Sequence, residues 1–265
     1  MRTAWLILLA STGCTFVSPP GGDDPGAGDD GDGDNGDVVE PGEEPAARGA
    51  CDPEDPALRL CVDFDGAIAD HSGRAAPITA AGVTTMDRDG EPAAMLGATS
   101  TMHVREAAAL DIQSGLALDM WIRPNGYPAL TAPPYWMLDN NQQYGASFTS
   151  LGAVRCVIGN ASLDGGLVPI DGKFHHVACT YDRSLLKVFV DGDLVRCGGL
   201  STQIPTSGID GLAIGANLSG SDEAPQYADS FRGGLDDVRV WARADLDVCA
   251  AAGRGKGCQT TCPLL

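Results

Sequence analysis

The sequence of residues 172–197 is GKFHHVACTYDRSLLKVFVDGDLVRC, and this stretch decides the fold class. Its two longest apolar runs, His175 to Tyr181 and Leu185 to Val190, have the length and the β-branched and aromatic content of strands. A short polar turn separates them. The dipeptide Asp191-Gly192, typical of a tight hairpin, then precedes a third run that begins at Leu194. The stretch therefore predicts a three-stranded antiparallel meander.

Similar short apolar runs occur along most of the chain after Cys51. They lie at Leu58 to Phe64, Leu116 to Ile122, Ala153 to Ile158, Gly211 to Ile214 and Leu235 to Trp241. Helical periodicity is scarce, and 35 of the 265 residues are glycine, which suits strands joined by many tight turns. The pattern predicts an all-β antiparallel sandwich with one core. Helix is expected only for a turn or two, at Glu106 to Ile112 and at Asp247 to Gly253.

Charge divides the chain into regions and excludes one class of partner. The 36 acidic residues outnumber the 17 basic ones, for a formal net charge of -19. Because nucleic acids are held chiefly by Lys and Arg, we expect no nucleic-acid partner. Residues 20–47 hold ten acidic residues, no basic residue and almost no large apolar side chain, so residues 15–49 are expected to be a disordered acidic linker.

The first fourteen residues have the composition of an export signal. Met1 and Arg2 precede an apolar core, Ala4 to Ala10, that is far shorter than the ~20 residues needed to span a bilayer. Small residues and Gly before Cys14 resemble a bacterial lipobox, although Ser11 stands where that pattern usually has Leu. We expect residues 1–14 to be a signal peptide ending at a lipidated Cys14. The lipid would be the only membrane attachment, and the protein would face the periplasm or lie at the cell surface. Ordinary cleavage nearby is the alternative.

Cysteine arithmetic favours lipidation and an oxidising compartment. Nine cysteines is an odd number, and removing Cys14 leaves eight, enough for four disulfides. The eight are Cys51, Cys61, Cys156, Cys179, Cys197, Cys249, Cys258 and Cys262. Cys179 and Cys197 are predicted to lie two strands apart, nearly 10 Å, which is beyond disulfide reach. We therefore expect Cys51 to pair with Cys61, Cys156 with either Cys179 or Cys197, and the last three cysteines to pair partly among themselves.

Four blocks of sequence carry a family resemblance. They are LCVDFDG (Leu60 to Gly66) with DHSG (Asp70 to Gly73), LALDMWIRP (Leu116 to Pro124), GKFHHVACTYD running into LKVFVDG (Gly172 to Gly192), and FRGGLDDVRVW (Phe231 to Trp241). In this order they resemble the laminin-G-like branch of the concanavalin A-like jelly rolls, over roughly residues 56–246. The resemblance implies a two-sheet jelly roll. We place it at residues 50–248, followed by a Cys-containing tail at 249–265.

The resemblance leaves catalysis without a candidate site. Enzymes of this superfamily that hydrolyse β-glucans carry an E-x-D-x-x-E strand, and none of the four Glu residues after Cys51 has an Asp two positions later. Asp236 and Asp237 are adjacent, as are His175 and His176, so a regular strand would point each pair to opposite faces. We predict that the protein is not an enzyme, and a glycan-active hydrolase is the least favoured alternative.

A structural calcium ion is a further expectation that the resemblance implies. Members of the superfamily often hold calcium where the N-terminal block meets the last strand, through carboxylate and backbone oxygens. In this sequence the positions are Asp236, with Asp65 and Asp70 as partners. The alternative is that Asp65 and Asp70 serve turns and Asp236 an internal hydrogen bond.

One Pro- and Asn-rich stretch, residues 133–144, has the composition of a glycan-binding site. Aromatic rings stack on sugar faces and amides pair with hydroxyls. The stretch offers Tyr135, Trp136, Asp139, Asn140, Asn141 and Tyr144. A buried strand explains Trp136 and Met137 equally well. The sequence thus predicts a module that recognises a glycan or a protein outside the cell, with a purely structural or display lipoprotein as the alternative.

Overall fold

The computed structural model describes residues 51–74, 77–206 and 210–262. These residues form seventeen strands and one short helix. The strands are β1 (Leu58–Val62), β2 (Ile78–Ala81), β3 (Thr84–Arg88), β4 (Glu91–Leu96), β5 (Thr101–Val104), β6 (Leu116–Pro124), β7 (Tyr135–Asn140), β8 (Tyr144–Phe148), β9 (Ala153–Ile158), β10 (Ala161–Leu167), β11 (His175–Tyr181), β12 (Leu185–Val190), β13 (Asp193–Gly199), β14 (Leu212–Ile214), β15 (Asn217–Ser221), β16 (Ala224–Ala228) and β17 (Gly233–Trp241). The helix, α1, spans Val248–Ala251.

Two antiparallel sheets pack face to face, which confirms the predicted jelly-roll sandwich. The first sheet has the order β13-β12-β11-β6-β17-β4-β3, with β1 also paired to β17. The second has the order β10-β9-β8-β7-β14-β5-β2. Strands β15 and β16 form a separate hairpin that packs on the second sheet, on the side away from the core.

The core lies between the sheets and is built by strand alternation. On β6, Leu118, Met120 and Ile122 point inward and are at most 1% exposed. On β9 of the opposing sheet, Cys156 and Ile158 do the same, while Val157 between them faces outward. One continuous apolar layer therefore holds the two sheets together.

The meander predicted from residues 175–197 is present. Strands β11, β12 and β13 pair consecutively, with Val177 opposite Val190 and Lys187 opposite Cys197. The turn between β12 and β13 has positive φ at both Asp191 (50°) and Gly192 (85°), as the two-residue hairpin turn requires.

Three disulfides fasten the described residues. Cys51 is bonded to Cys61 beside β1, Cys156 to Cys179 across the core, and Cys249 to Cys258 after the last strand. Cys197 and Cys262 form no disulfide in the structure, so three of the four expected bonds are present.

The helical expectation holds at one of its two positions. Asp247 caps α1 by accepting a hydrogen bond from the Ala250 amide at 3.0 Å. Residues 106–112 form turns instead. Within the described ranges, no helix has the length and apolar character needed to cross a membrane. The signal, lipidation and linker predictions concern residues 1–49, which lie outside the described residues.

Candidate functional site

The second sheet carries a pocket on the face that points away from the core. Its volume is about 310 Å³, and strands β7 to β10 form its floor while the start of β15 forms one wall. The lining residues combine two aromatic rings, those of Trp136 and the buried Tyr144, with several amides and one carboxylate. They are Pro134, Trp136, Asp139, Asn141, Gln142, Tyr144, Arg155, Val157, Gly159, Asn160, Ala161, Ser162 and Asn217.

A β-bulge places Trp136 at the pocket. The register of β7 against β8 shifts between Trp136 and Leu138, so Met137 and Leu138 both enter the core and Trp136 is left on the outer face. The indole lies directly over Gly145, where a Cβ would stand 2.9 Å from Trp136 Cζ3. The missing side chain at Gly145 therefore lets the ring approach the sheet closely.

The alternation of inward and outward side chains along β9 places a charged residue, Arg155, at the pocket. Arg155 and Val157 point outward between the buried Val154, Cys156 and Ile158. The Arg155 guanidinium donates two hydrogen bonds to Asp164 on β10, from Nε to Oδ1 at 2.6 Å and from Nη2 to Oδ2 at 2.8 Å. This bidentate pair fixes the direction of the arginine at the pocket edge.

Asp139 joins the pocket floor to the β15–β16 hairpin. Its side chain is buried, with the residue 5% exposed, and Oδ2 accepts a hydrogen bond from the Leu218 amide at 2.8 Å. Burial raises the pKa of this carboxyl to about 6, although the Leu218 hydrogen bond opposes the shift. Asp139 therefore changes its charge close to neutral pH.

The structure divides the stretch 133–144 between pocket and core. Of the residues predicted for a glycan site, Trp136, Asp139, Asn141 and Tyr144 line the pocket. Asn140 lies in the core, where its Nδ2 donates to the Leu110 carbonyl at 3.2 Å. The buried Tyr144 hydroxyl donates to the same carbonyl at 3.0 Å. These two side chains hold the loop after β5 against the second sheet. Tyr135 contacts the Arg232 guanidinium, 5.2 Å from the ring centre.

The pocket residues that lie outside residues 133–144 were not identified from the sequence. Arg155, Asn160, Ser162 and Asn217 come from β9, β10, β15 and the turn between β9 and β10. Each residue lies in an ordinary strand or turn. The antiparallel pairing of β7 to β10 brings the first three beside Trp136, and packing of the β15–β16 hairpin on the second sheet brings Asn217.

The chemistry of the pocket suits binding. Hydrolysis of a glycosidic bond generally needs two carboxylates about 5 to 10 Å apart. Among the described lining residues, Asp139 carries the only carboxylate. Asp139 Oδ2 accepts a hydrogen bond from the Leu218 backbone amide.

The three residues expected to bind calcium do not form a common centre. Asp70 accepts hydrogen bonds from the Cys61 and Ser72 amides, both at 3.0 Å, and thus serves a turn. Asp236 is 2% exposed, and its Oδ2 accepts from Arg88 Nη1 at 2.5 Å. No group of three His, Cys, Asp or Glu residues within the described ranges is arranged to hold a metal ion. The positive charge at Asp236 comes from Arg88.

The expectation that Asp236 and Asp237 face opposite sides of the strand is wrong. The register of β17 against β6 shifts between Asp236 and Arg239, and Asp237 has a φ of 48°. This bulge lets both carboxylates reach Arg88, whose Nη1 lies 3.0 Å from Asp237 Oδ2. Burial, and then the charge of Asp237, raise the pKa of Asp236 to about 7, and Asp65 adds to the shift.

The adjacent histidines His175 and His176 both contact aspartate side chains. His176 Nε2 lies 2.9 Å from Asp119 Oδ2, and Arg239 Nη2 donates to the same oxygen at 2.6 Å. Burial opposes ionisation of Asp119, but Arg239 and His176 together lower its pKa. His175 contacts Asp191 and Asp171 at the end of β11. The buried cluster of Asp119, His176 and Arg239 was not predicted from the sequence.

A family model and solved structures match the fold. The model described as the concanavalin A-like lectin/glucanases superfamily, laminin G type, matches residues 96–245. No curated protein matches the chain in sequence. One similar solved structure is domain 4 of AbnA, a GH43 extracellular arabinanase from Geobacillus stearothermophilus, in complex with arabinotriose. Its sequence is 18% identical, and the superposition has a TM-score of 0.58 and covers 74% of this chain and 98% of that domain.

Two toxin structures are about as similar to this chain as the arabinanase domain is. The binding domain of Paraclostridial Mosquitocidal Protein 1 is 15% identical with a TM-score of 0.59, covering 74% of this chain and 51% of that one. A structure of botulinum neurotoxin type C, whose cell entry depends on interaction with two ganglioside molecules, is 16% identical with a TM-score of 0.56, covering 75% and 51%. This chain thus spans about half the length of the toxin chains. At these identities the likeness is one of fold.

Proposed function

Because the chain belongs to the concanavalin A-like lectin/glucanases superfamily, we propose that it is a non-catalytic recognition module whose ligand is a glycan. The observation that carries this proposal is the pocket beside Trp136. A half-buried indole, three asparagine amides and a fixed guanidinium meet there on a rigid sheet.

Each group suits part of a sugar. The indole offers an apolar face to the C–H side of a pyranose or furanose ring. The side chains of Asn141, Asn160 and Asn217 can both donate and accept hydrogen bonds with hydroxyls. A volume of about 310 Å³ is at the small end for ligand pockets, so the pocket suits a short segment or the end of a glycan.

The structural neighbours support this choice of ligand. One neighbour is in complex with arabinotriose, and another belongs to a toxin that depends on gangliosides, which carry sugar headgroups. The single carboxylate of the pocket supports recognition over hydrolysis.

Export and anchoring form the second part of the proposal. Residues 1–14 act as a lipoprotein signal, Cys14 receives the lipid, and residues 15–49 give the recognition module reach from the membrane. The disulfides of the domain support an oxidising compartment outside the cytoplasm.

A glycan array followed by titration calorimetry tests the ligand. The Cys14→Ser chain, which cannot be lipidated at that residue, is compared with the same chain carrying Trp136→Ala. We expect Trp136→Ala to weaken glycan binding about tenfold or more, since one lost stacking contact is worth about 1.4 kcal/mol. Trp121→Ala, on the other sheet, is the matched control and should leave affinity unchanged.

Three results would oppose the proposal. Binding that is insensitive to Trp136→Ala would place the ligand elsewhere. An array without any glycan signal, together with a protein captured in a pull-down, would favour a protein ligand. Absence of both would favour a display or spacing role.

A further inference from the structure

Residues 252–262 of the C-terminal tail lie along the free edge of the first sheet. Strand β13 forms that edge, and the Leu194 amide donates to the Gln259 carbonyl at 2.6 Å. The Gln259 amide in turn donates to Asp193 Oδ1 at 2.9 Å. Arg254 Nη1 donates to Asp193 Oδ2 at 2.6 Å and to the Asp191 carbonyl at 2.8 Å. The tail is therefore seated on β13 at a defined register.

Two cysteines lie at the same distance in sequence from the Leu194–Gln259 hydrogen bond, one on β13 and one on the tail. Cys197 follows Leu194 by three residues on β13, and Cys262 follows Gln259 by three residues on the tail. Because the two segments run side by side from the Leu194–Gln259 hydrogen bond, the cysteines reach the same place. Their side chains are in hydrogen-bonding contact, both are partly buried, and neither belongs to a disulfide in the structure.

We propose that Cys197 and Cys262 form a fourth disulfide that locks the tail onto β13. Each thiol loses its proton, one S–S bond forms, and two electrons pass to an incoming disulfide, which is reduced to two thiols. Thiol–disulfide exchange with a protein or small-molecule disulfide supplies this oxidant.

The other six cysteines of the described residues already form three disulfides, so Cys197 and Cys262 have only each other as partners there. Cys258, the tail cysteine nearest to Cys262, is bonded to Cys249, and Cys156 is bonded to Cys179 in the core. The proposed bond also has a structural consequence. It would hold the tail over an edge strand whose free amides and carbonyls could otherwise pair with another chain.

Peptide mapping of the full chain tests the bond, because tryptic cleavage separates the relevant cysteines. The protein is oxidised with glutathione disulfide, free thiols are alkylated in denaturant, and trypsin is added without reduction. Cys197 lies on peptide 197–232, Cys249 on 244–254, and both Cys258 and Cys262 on 257–265. We expect all three peptides to travel as one disulfide-linked species.

Two serine variants identify the partner atoms. In Cys262→Ser, peptide 197–232 should separate while 244–254 stays joined to 257–265. Cys197→Ser should give the same joined pair, with Cys262 alkylated. Alkylated Cys197 in the oxidised wild-type chain would overturn the proposal. Retention of peptide 197–232 on 257–265 in Cys262→Ser would also overturn it, since the bond would then involve Cys258.

Amide hydrogen exchange at Leu194 gives a second measurement that does not depend on mapping. Its amide bonds to the tail, so its protection reports whether the tail is seated. We expect protection to fall at least tenfold in Cys262→Ser relative to the oxidised wild type. Equal protection in the two proteins would show that the tail needs no covalent lock.

Discussion

Cys156 on β9 and Cys179 on β11 join the two sheets by a disulfide that lies inside the core. The two residues are 0% and 2% exposed, and apolar side chains from both sheets surround the bond. The bond connects layers that otherwise hold together by apolar contact alone at this point. It should therefore stabilise the packing of one sheet on the other as well as the two strands that it joins.

The first prediction concerns this disulfide. Replacing both cysteines with alanine removes a cross-link between residues 23 apart in sequence, worth about 3 kcal/mol in loop-closure entropy, and leaves a small cavity. We expect the free energy of unfolding to fall by about 3 to 5 kcal/mol in urea denaturation at neutral pH. The pair Cys249→Ala with Cys258→Ala, whose two residues are both only partly buried and 9 apart in sequence, should lose less. Equal losses for the two double variants would contradict a core contribution.

Local sequence patterns were sufficient for the meander and for the fold class. In residues 175–197 the strand runs, the polar turn and Asp191-Gly192 all favour the same hairpins, and the structure contains them. Strands such as β2 to β5 were not predicted. Their sequences are short and rich in Thr, Ala and charged residues, so strand pairing rather than a local pattern makes them strands. Strands β3 and β4 pair as a hairpin, β2 pairs with β5, and β4 also pairs with the distant β17.

The site was harder to predict because two β-bulges decide it. Period-two alternation would put Trp136 and Leu138 on one face, and the bulge in β7 separates them. The bulge in β17 brings Asp236 and Asp237 to one arginine, where alternation would separate them. A bulge depends on strand pairing, so local periodicity does not reveal it.

The second prediction concerns Arg88, which is 3% exposed and contacts both Asp236 and Asp237. Replacing it with methionine leaves two poorly solvated carboxylates without their cation. We expect a loss of about 3 to 5 kcal/mol in the free energy of unfolding at pH 8. Adding Asp236→Asn to Arg88→Met should restore part of this loss.

The loss should be smaller at pH 5 than at pH 8. The folded-state pKa of Asp236 is already raised to about 7, and removing Arg88 raises it further, whereas the unfolded chain ionises near 4. Between these values the folded state holds a proton that the unfolded state has released, so the variant loses stability as pH rises. Urea melts at both pH values measure this, and a pH-independent loss would contradict the assigned role of Asp236.

Calcium at Asp236, with Asp65 and Asp70, stays a prediction with its own measurement. An ion there would have to share or replace the contact that Arg88 makes with Asp236. Thermal melts of metal-free protein in calcium and in EDTA that differ by several degrees would support the ion, if Asp236→Ala abolishes the difference. Coincident melts would leave Arg88 as the counter-charge of Asp236.

A further prediction concerns Cys14 and the membrane. If Cys14 becomes the lipidated N-terminus, the expressed chain should fractionate with membranes and enter the detergent phase on phase separation. Cys14→Ala should release the protein or block its processing, because the lipid is the proposed attachment. Equal solubility of the two proteins would contradict lipidation.

The final prediction concerns Asp139 and the pH dependence of stability. Its folded-state pKa is raised to about 6 by burial, against about 3.9 for an unfolded aspartate. Below pH 4 both states are protonated. Between pH 4 and 6 the unfolded state releases its proton first, and above pH 6 the folded state holds a buried charge. The contribution of Asp139 to the free energy of unfolding therefore falls as pH rises from 4 to 6, by up to about 3 kcal/mol.

Asn at this position keeps an acceptor for the Leu218 amide and carries no charge. Asp139→Asn should thus match the wild type near pH 4 and exceed its stability at pH 8, as measured by urea denaturation at several pH values. Asp164→Asn is the control of opposite sign, because Arg155 lowers the pKa of Asp164 and that variant should lose stability at pH 8. A stability difference between Asp139→Asn and the wild type that is constant from pH 4 to 8 would show that Asp139 is not the group that titrates near pH 6.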